Sequence, residues 1–238
     1  MIAAGHQPNF LPWLGFFDKM QKADVFVIED IVQFERSEFQ NRNRIKTQTG
    51  PIWLTVPVEH QGKRQRIDNV KIAERNRCYL LKELWETLKA NYANAPFWRN
   101  YSGFFEQAFQ QHWTSLSDLN LHLIEGLRTF LGVYTPLVKA SKLGAFGKSS
   151  EMIIAQCKEL GADVYLSGVG AKNYLNVTRF RQEGLEVRFQ DFQHPIYPQL
   201  YGEFIPNLSA VDYLFCVGEK LSPSCASRNA AEQLRCVQ

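Results

Sequence analysis

Two short apolar runs, MIAAG at residues 1–5 and ADVFVIED at residues 23–30, flank one helix-length segment, LGFFDKMQKA. Runs of this kind, rich in Val, Ile and Phe, read as buried strands, and the segment between them has helical spacing. A strand, a helix and a strand of this size join by a right-handed crossover that sets two parallel strands side by side. The alternation returns later in the chain. TPLVKAS reads as a short strand, SSEMIIAQCKELGA as a helix ending at Gly161, and DVYLSG and LEVRFQDF as two more strands. PIWLTVPV adds a further strand. This order predicts an α/β fold, a mostly parallel sheet flanked by helices.

A helical middle segment interrupts the alternation. RCYLLKELWETLKANYA, FWRNYSGFFEQAFQQHW and SLSDLNLHLIEGLRTFLG carry apolar residues at helical intervals, with NAP ending the first and Gly132 the third. SAVDYLFCVG reads as a last short helix. The 238 residues, 45% hydrophobic, suit one sizeable core. The expected organisation is a single α/β domain over 1–238, with a helical insert at about 76–132 and a frayed tail from about 220.

Composition excludes several function classes. A net charge of +3, spread along the chain, is not that of a nucleic-acid-binding arm. There is no apolar run of ~18 residues to span a bilayer, and no basic leader. The cysteines, Cys78, Cys157, Cys216, Cys225 and Cys236, are scattered and form no CxxC, as expected of reduced thiols in a cytoplasmic protein. No metal-ligand spacing, P-loop, GxGxxG or GxSxG element is present, so no metal site is expected.

Ligands of parallel α/β sheets bind beyond the carboxyl ends of the strands. Three polar segments fall there. The first is His6-Gln7-Pro8-Asn9, a loop stiffened by Pro8 and Pro12, with Trp13 read as scaffold. The second runs from Asp30 through Gln33 to Asn41, Arg42, Asn43 and Arg44. Arg42 and Arg44 share one side of an extended chain and suit bidentate capture of a carboxylate or phosphate. The third is Ser167, Gly168, Lys172 and Tyr174, where small residues allow a ligand close to the backbone. His194 and Gln199 lie in a later loop-rich stretch with Tyr197, Ser209 and Asp212 and are expected to contact substrate or support groups that do. His6, Asp30 and Arg42 are the candidate catalytic residues. His6, Asn9, Asp30, Asn41, Arg42 and Ser167 are expected to line one cleft.

HQPNFLPWLGFFDKMQKADVFVIEDIVQF, NRNRI, WLTVPV, LGADVYLSG, GAKNYL and FQDFQHPIYPQLYGEFIPNLSAVDYLFCVG, in that order, resemble the WbqC-like protein family up to about residue 220. Cys216 departs from that pattern, which has Asn before the terminal Val-Gly. The resemblance implies a place in bacterial surface-polysaccharide or secondary-metabolite biosynthesis, and transfer of glycine or a related acyl unit to an amino sugar. The opening strand–loop–helix is also similar in layout to pantothenate synthetases and other HIGH-type nucleotidyl-transfer enzymes, although the second His of their motif is missing. That layout implies ATP with Mg²⁺ as cofactor, unless the donor arrives already activated. The leading expectation is thus an amide-forming acyl- or aminoacyl-transfer enzyme. Its partners would be a small-molecule amine and a donor carried on tRNA or a carrier protein, with no membrane. The rivals are nucleotidyl or glycosyl transfer to a sugar nucleotide, and a non-catalytic scaffold, which should display an apolar surface patch.

Overall fold

The structure, a computed structural model, describes residues 1–59, 65–74, 77–145, 149–173 and 175–218. The expected frayed tail from about 220 lies outside the described residues. In chain order the elements are β1 (Ile2–His6), α1 (Leu14–Gln21), β2 (Val25–Ile28), β3 (Arg42–Thr47), β4 (Gly50–Thr55), α2 (Arg77–Tyr92), α3 (Trp98–Gln110), α4 (Leu116–Phe130), β5 (Leu137–Lys139), α5 (Ser150–Leu160), β6 (Val164–Ser167), α6 (Val177–Gln182), β7 (Glu186–Phe189) and α7 (Ala210–Cys216). Short 3-10 turns fall at Ile67–Asn69, Ala140–Lys142 and Val169–Asn173.

Five strands form one parallel sheet in the order β5-β2-β1-β6-β7. The chain builds outward from β1 to β2 and β5, then returns to β6 on the other side of β1. The order therefore reverses between β1 and β6, the place where α/β sheets of this kind open a crevice. Side-chain alternation sends successive residues to opposite faces. Ala4, Phe26 and Leu166 join the core beneath α1 and the helical middle segment. Ala3, Val25 and Tyr165 join the core beneath α5 and α6. Both faces are covered, which is why these strands read as unbroken apolar runs.

PIWLTVPV does not enter the parallel sheet. Its first part is β4, paired antiparallel with β3 in a separate hairpin. The TG pair at Thr49-Gly50, with Gly50 at φ 113°, closes that hairpin. α2, α3 and α4 pack side by side, and α7 packs on α3 and α4. Phe215 of α7 sits among Trp98, Tyr92 and Phe105, at ring separations of 4.8, 5.4 and 5.5 Å. Among the described residues no helix is long and apolar enough to cross a membrane.

The loop after β1 is held by two side chains and one backbone donor from three other elements. Asn120 of α4, fully buried, donates to the carbonyls of Pro8 and Gln40, both at 2.7 Å. Asn43 of β3 donates to Leu11 O at 2.7 Å and Phe10 O at 3.3 Å. Ala210 N, opening α7, donates to Pro12 O at 2.8 Å. The Trp13 indole then lies over Gly15, where a Cβ would fall 2.3 Å from the ring. Gly15→Ala should therefore push the indole against Phe192, now 5.2 Å away edge-to-face, and lower stability by about 1–3 kcal/mol in a denaturant melt.

Candidate functional site

Two cavities open at the carboxyl end of the sheet. The larger, about 670 Å³, lies at the reversal point between β1 and β6. Gly5, His6 and Gln7 leave β1 along its wall, Glu29 leaves β2, Ser167, Gly168 and Gly170 leave β6, and Ser149 and Met152 begin α5. The smaller, about 420 Å³, is lined by Asn9, Trp13, Phe39, Arg44 and Asn207. His6, Gln7 and Glu38 line both, so the two form adjoining chambers of one cleft.

The most buried charged groups lining the cleft are Lys19 and Glu29, 4% and 8% exposed. Lys19 rises from α1, and its Nζ donates to Gly5 O at 2.8 Å. The same Nζ stands 3.8 Å from the place a Cβ on Gly168 would take. Glu29 follows the last paired residue of β2, and its backbone N donates to His6 O at 2.9 Å. Its Oε2 accepts from Gln156 Nε2 of α5 at 3.0 Å. Its Oε1 is buried with no hydrogen-bond partner. Gly5 makes room for this carboxylate: a Cβ there would come within 2.9 Å of Oε1. Burial raises Glu29 to about 7, against the bond from Gln156. Burial likewise lowers Lys19 to about 7, against the pull of Glu29. Both groups thus exchange protons near neutral pH, in a cavity, which is the condition of a catalytic acid or base.

His6 is half-buried beside Phe16 (5.1 Å between rings), and its Nδ1 is 3.0 Å from Gln7 O. That carbonyl only accepts, so Nδ1 carries the proton and Nε2 remains an acceptor. Burial first, and then the Lys19 charge, push the imidazole down to about 3. At neutral pH His6 is an uncharged hydrogen-bonding group.

The expected convergence is partial. His6, Gln7, Asn9, Arg44, Ser167 and Gly168 line the two chambers. Asp30, Asn41 and Arg42 line neither, each for a physical reason. Side-chain alternation turns Asp30 away from Glu29, and Ser141 occupies both its oxygens, N to Oδ1 at 2.9 Å and Oγ to Oδ2 at 2.6 Å. Asp30 thereby ties the exit of β2 to the turn after β5. Asn41 Nδ2 donates to Val56 O at 2.9 Å, and Asn43 clamps the loop after β1. Arg42 stacks on Trp53, 4.3 Å from the ring, and donates to Ser37 O at 2.5 Å.

Gln33 is exposed and bonded to Glu35 at 2.6 Å. Lys172 is exposed over Phe189, 5.3 Å from its ring, and lines neither chamber. Tyr174 lies outside the described residues. His194 packs among Phe192, Tyr197 and Phe204, with Nδ1 on Pro195 O at 2.8 Å. Gln199 belongs to a buried network with Asp212, Tyr92, Tyr197 and Lys46. Neither residue lines either chamber.

Lys19 and Glu29 were not among the residues singled out from sequence. The signals were present: a lysine in a helix with Leu14, Phe16, Phe17 and Met20 buried around it, and a second carboxylate directly continuing an apolar strand.

Comparison with known proteins places the chain in a family. The model of the WbqC-like protein family matches residues 7–222. The chain belongs to that family. In this WbqC-like chain the matched range takes in Gln7, Lys19, Glu29, Arg44 and the exit of β6. Similar to it is the "Uncharacterized protein Rv1507c" of Mycobacterium tuberculosis (strain ATCC 25618 / H37Rv), 32% identical over 216 residues, which span 89% of this chain and 92% of that relative. No solved structure matches the chain.

Proposed function

We propose that this protein is an amide-forming transferase, moving an acyl or aminoacyl group from an activated donor to the amine of a small molecule. The observation that carries the reading is Glu29: a buried carboxylate at the reversal point of the sheet, with Oε1 unpartnered and a titration near neutral pH. An ammonium must lose a proton before its nitrogen can attack, and a base poised near the working pH serves that step. In the proposed reaction Glu29 Oε1 takes that proton. The nitrogen attacks the acyl carbon and forms the C–N bond. The bond from the acyl carbon to its ester or thioester oxygen or sulfur then breaks, and the electron pair departs with that atom. The leaving group finally receives the proton held by Glu29, and the new amide nitrogen gives its remaining extra proton to solvent. Lys19, when cationic, offsets charge developing on the acyl oxygen. The uncharged His6 accepts a hydrogen bond through Nε2. An amino sugar is a fitting acceptor, and tRNA or a carrier protein is a fitting source of the donor.

Nucleotidyl transfer is the second reading. It is favoured by the start of α5, whose Ser149 and Met152 face the larger chamber, because unpaired N–H groups at a helix start suit a phosphate. Incubating the full-length protein with amino acids, ATP, Mg²⁺ and amino sugars, and weighing the products, separates the two. An acyl increment on the amine that vanishes with Glu29→Gln is the expected result. A nucleotidyl increment selects the second reading, and an unchanged amine with every donor class, including thioesters and aminoacyl-tRNA, removes both.

A further inference from the structure

One wall of the smaller chamber carries a cation, Arg44, whose guanidinium lies over the Trp53 ring, 5.8 Å from its centre. Arg44 is fixed by its backbone: its carbonyl accepts from Ser209 N at 2.9 Å and its N donates to Asn43 Oδ1 at 2.8 Å. Its guanidinium has neither a hydrogen bond nor an ion pair among the described residues, and Nε is buried without a partner. Buried N–H groups in folded proteins are almost always satisfied, so a held arginine with free donors on a cavity wall calls for an acceptor from outside the chain. Arg42, two residues away, shares the buried, unpartnered Nε but differs in two ways: another of its donors is spent on Ser37 O, and it lies off the cavity.

The rest of the chamber indicates what accompanies that acceptor. Trp13 and Phe39 supply flat apolar walls, and Phe39 is 38% exposed at the mouth. Gln7, Asn9 and Asn207 supply amides. Asn207 sits at φ 59°, a left-handed backbone that asparagine tolerates better than most residues. Glu38, the one carboxylate among the described residues of this wall, forms no ion pair with Arg44.

We propose that the smaller chamber binds a ring that carries an oxyanion, with the ring against Trp13 and Phe39 and a carboxylate or phosphate on the fork of Arg44. A volume of about 420 Å³ suits a molecule of this size. Because the chambers share His6, Gln7 and Glu38, the ligand lies beside the group that Glu29 serves. Its role as second substrate rests on the transferase reading; the binding site itself does not.

The test is a protein-observed NMR titration of the full chain with benzoate, phenyl phosphate, benzamide and inorganic phosphate. Benzoate or phenyl phosphate should bind more tightly than benzamide or inorganic phosphate, and which of the two is preferred tells carboxylate from phosphate. Arg44→Lys keeps the charge but loses the fork, and should weaken the ring anions about tenfold or more without changing benzamide. Phe39→Leu should weaken benzoate, phenyl phosphate and benzamide alike. Arg42→Lys should change none. Benzamide binding as tightly as benzoate, full affinity in Arg44→Lys, or no binding of any ring anion at millimolar concentration would each overturn the proposal. Glu29→Gln should leave probe binding intact, so probe binding without any acyl product would sink the transferase reading and leave this site standing.

Discussion

Glu29→Gln is expected to remove turnover by about 10²–10⁴-fold, the usual contribution of a positioned base, while the protein stays folded. The amide keeps the shape of the side chain and can still accept from Gln156, now 3.0 Å from Oε2. What it loses is the ability to take a proton. The wild-type rate should accordingly rise with pH through about 7, where burial has placed the carboxylate. Stability should respond in the opposite sense. The folded-state pKa lies above the ordinary value of 4.5, so the unfolded chain releases this proton first. The contribution of Glu29 to stability is therefore fully present below about 4.5 and is lost as pH rises through about 7. The glutamine escapes that loss, although Lys19 forfeits its counter-charge and part of the gain with it. Thermal melts at pH 5 and pH 8 should find the variant equal to wild type at the lower pH and not below it at the higher. A variant that melts early, or that keeps its turnover, would make Glu29 a structural carboxylate and end its role as base.

The strand periodicities were legible because both faces of the sheet are covered, leaving unbroken apolar runs such as VFVI. The rule that ligands gather at strand ends led to His6, Asn9, Arg44 and Ser167, because each follows a strand or borders a loop where polarity is unexplained by burial. It failed where two residues of one type stand side by side. Glu29 and Asp30 are adjacent carboxylates, and only the alternation of β2, with Val25 and Val27 on one face and Phe26 and Ile28 on the other, decides which enters the cleft. It failed again at NRNRI, where asparagines resemble ligand donors. The loop after β1 has carbonyls at Pro8, Phe10 and Leu11 that need donors, and Asn120 and Asn43 supply them. Lys19 was hidden by its position in a helix whose neighbours are buried. Its head group reaches Gly5 at the end of β1, a long-range contact that no local pattern encodes.

Asp212→Ala is expected to cause the largest loss of stability, about 3–5 kcal/mol, because it removes one acceptor and strands three donors. The carboxylate of Asp212 has no exposed surface. Tyr92 Oη donates to Oδ1 at 2.7 Å, while Tyr197 Oη and Gln199 Nε2 donate to Oδ2 at 2.9 and 2.8 Å. The direction of these bonds follows from the next shell. Tyr92 Oη already accepts from Lys46 N at 3.0 Å, so its own proton points to Asp212. Gln199 Oε1 accepts from Ile205 N at 2.8 Å and from Lys46 Nζ at 3.3 Å, which leaves its amide nitrogen to donate. One side chain thus joins α7, α2, β3 and the segment around Tyr197 to Ile205. Asn at this position should be intermediate. Its oxygen can face Tyr197 and Gln199, but its nitrogen then meets the hydroxyl proton of Tyr92, leaving one donor unpaired at about 1–3 kcal/mol. For a chain of this size each kcal/mol moves the thermal midpoint by roughly 2–4 °C. Asp212→Ala should therefore melt about 6–20 °C below wild type, with Asp212→Asn between them. Equal midpoints for all three would mean that the network adds nothing to stability and that a carboxylate buried beside Lys46 must be explained by function.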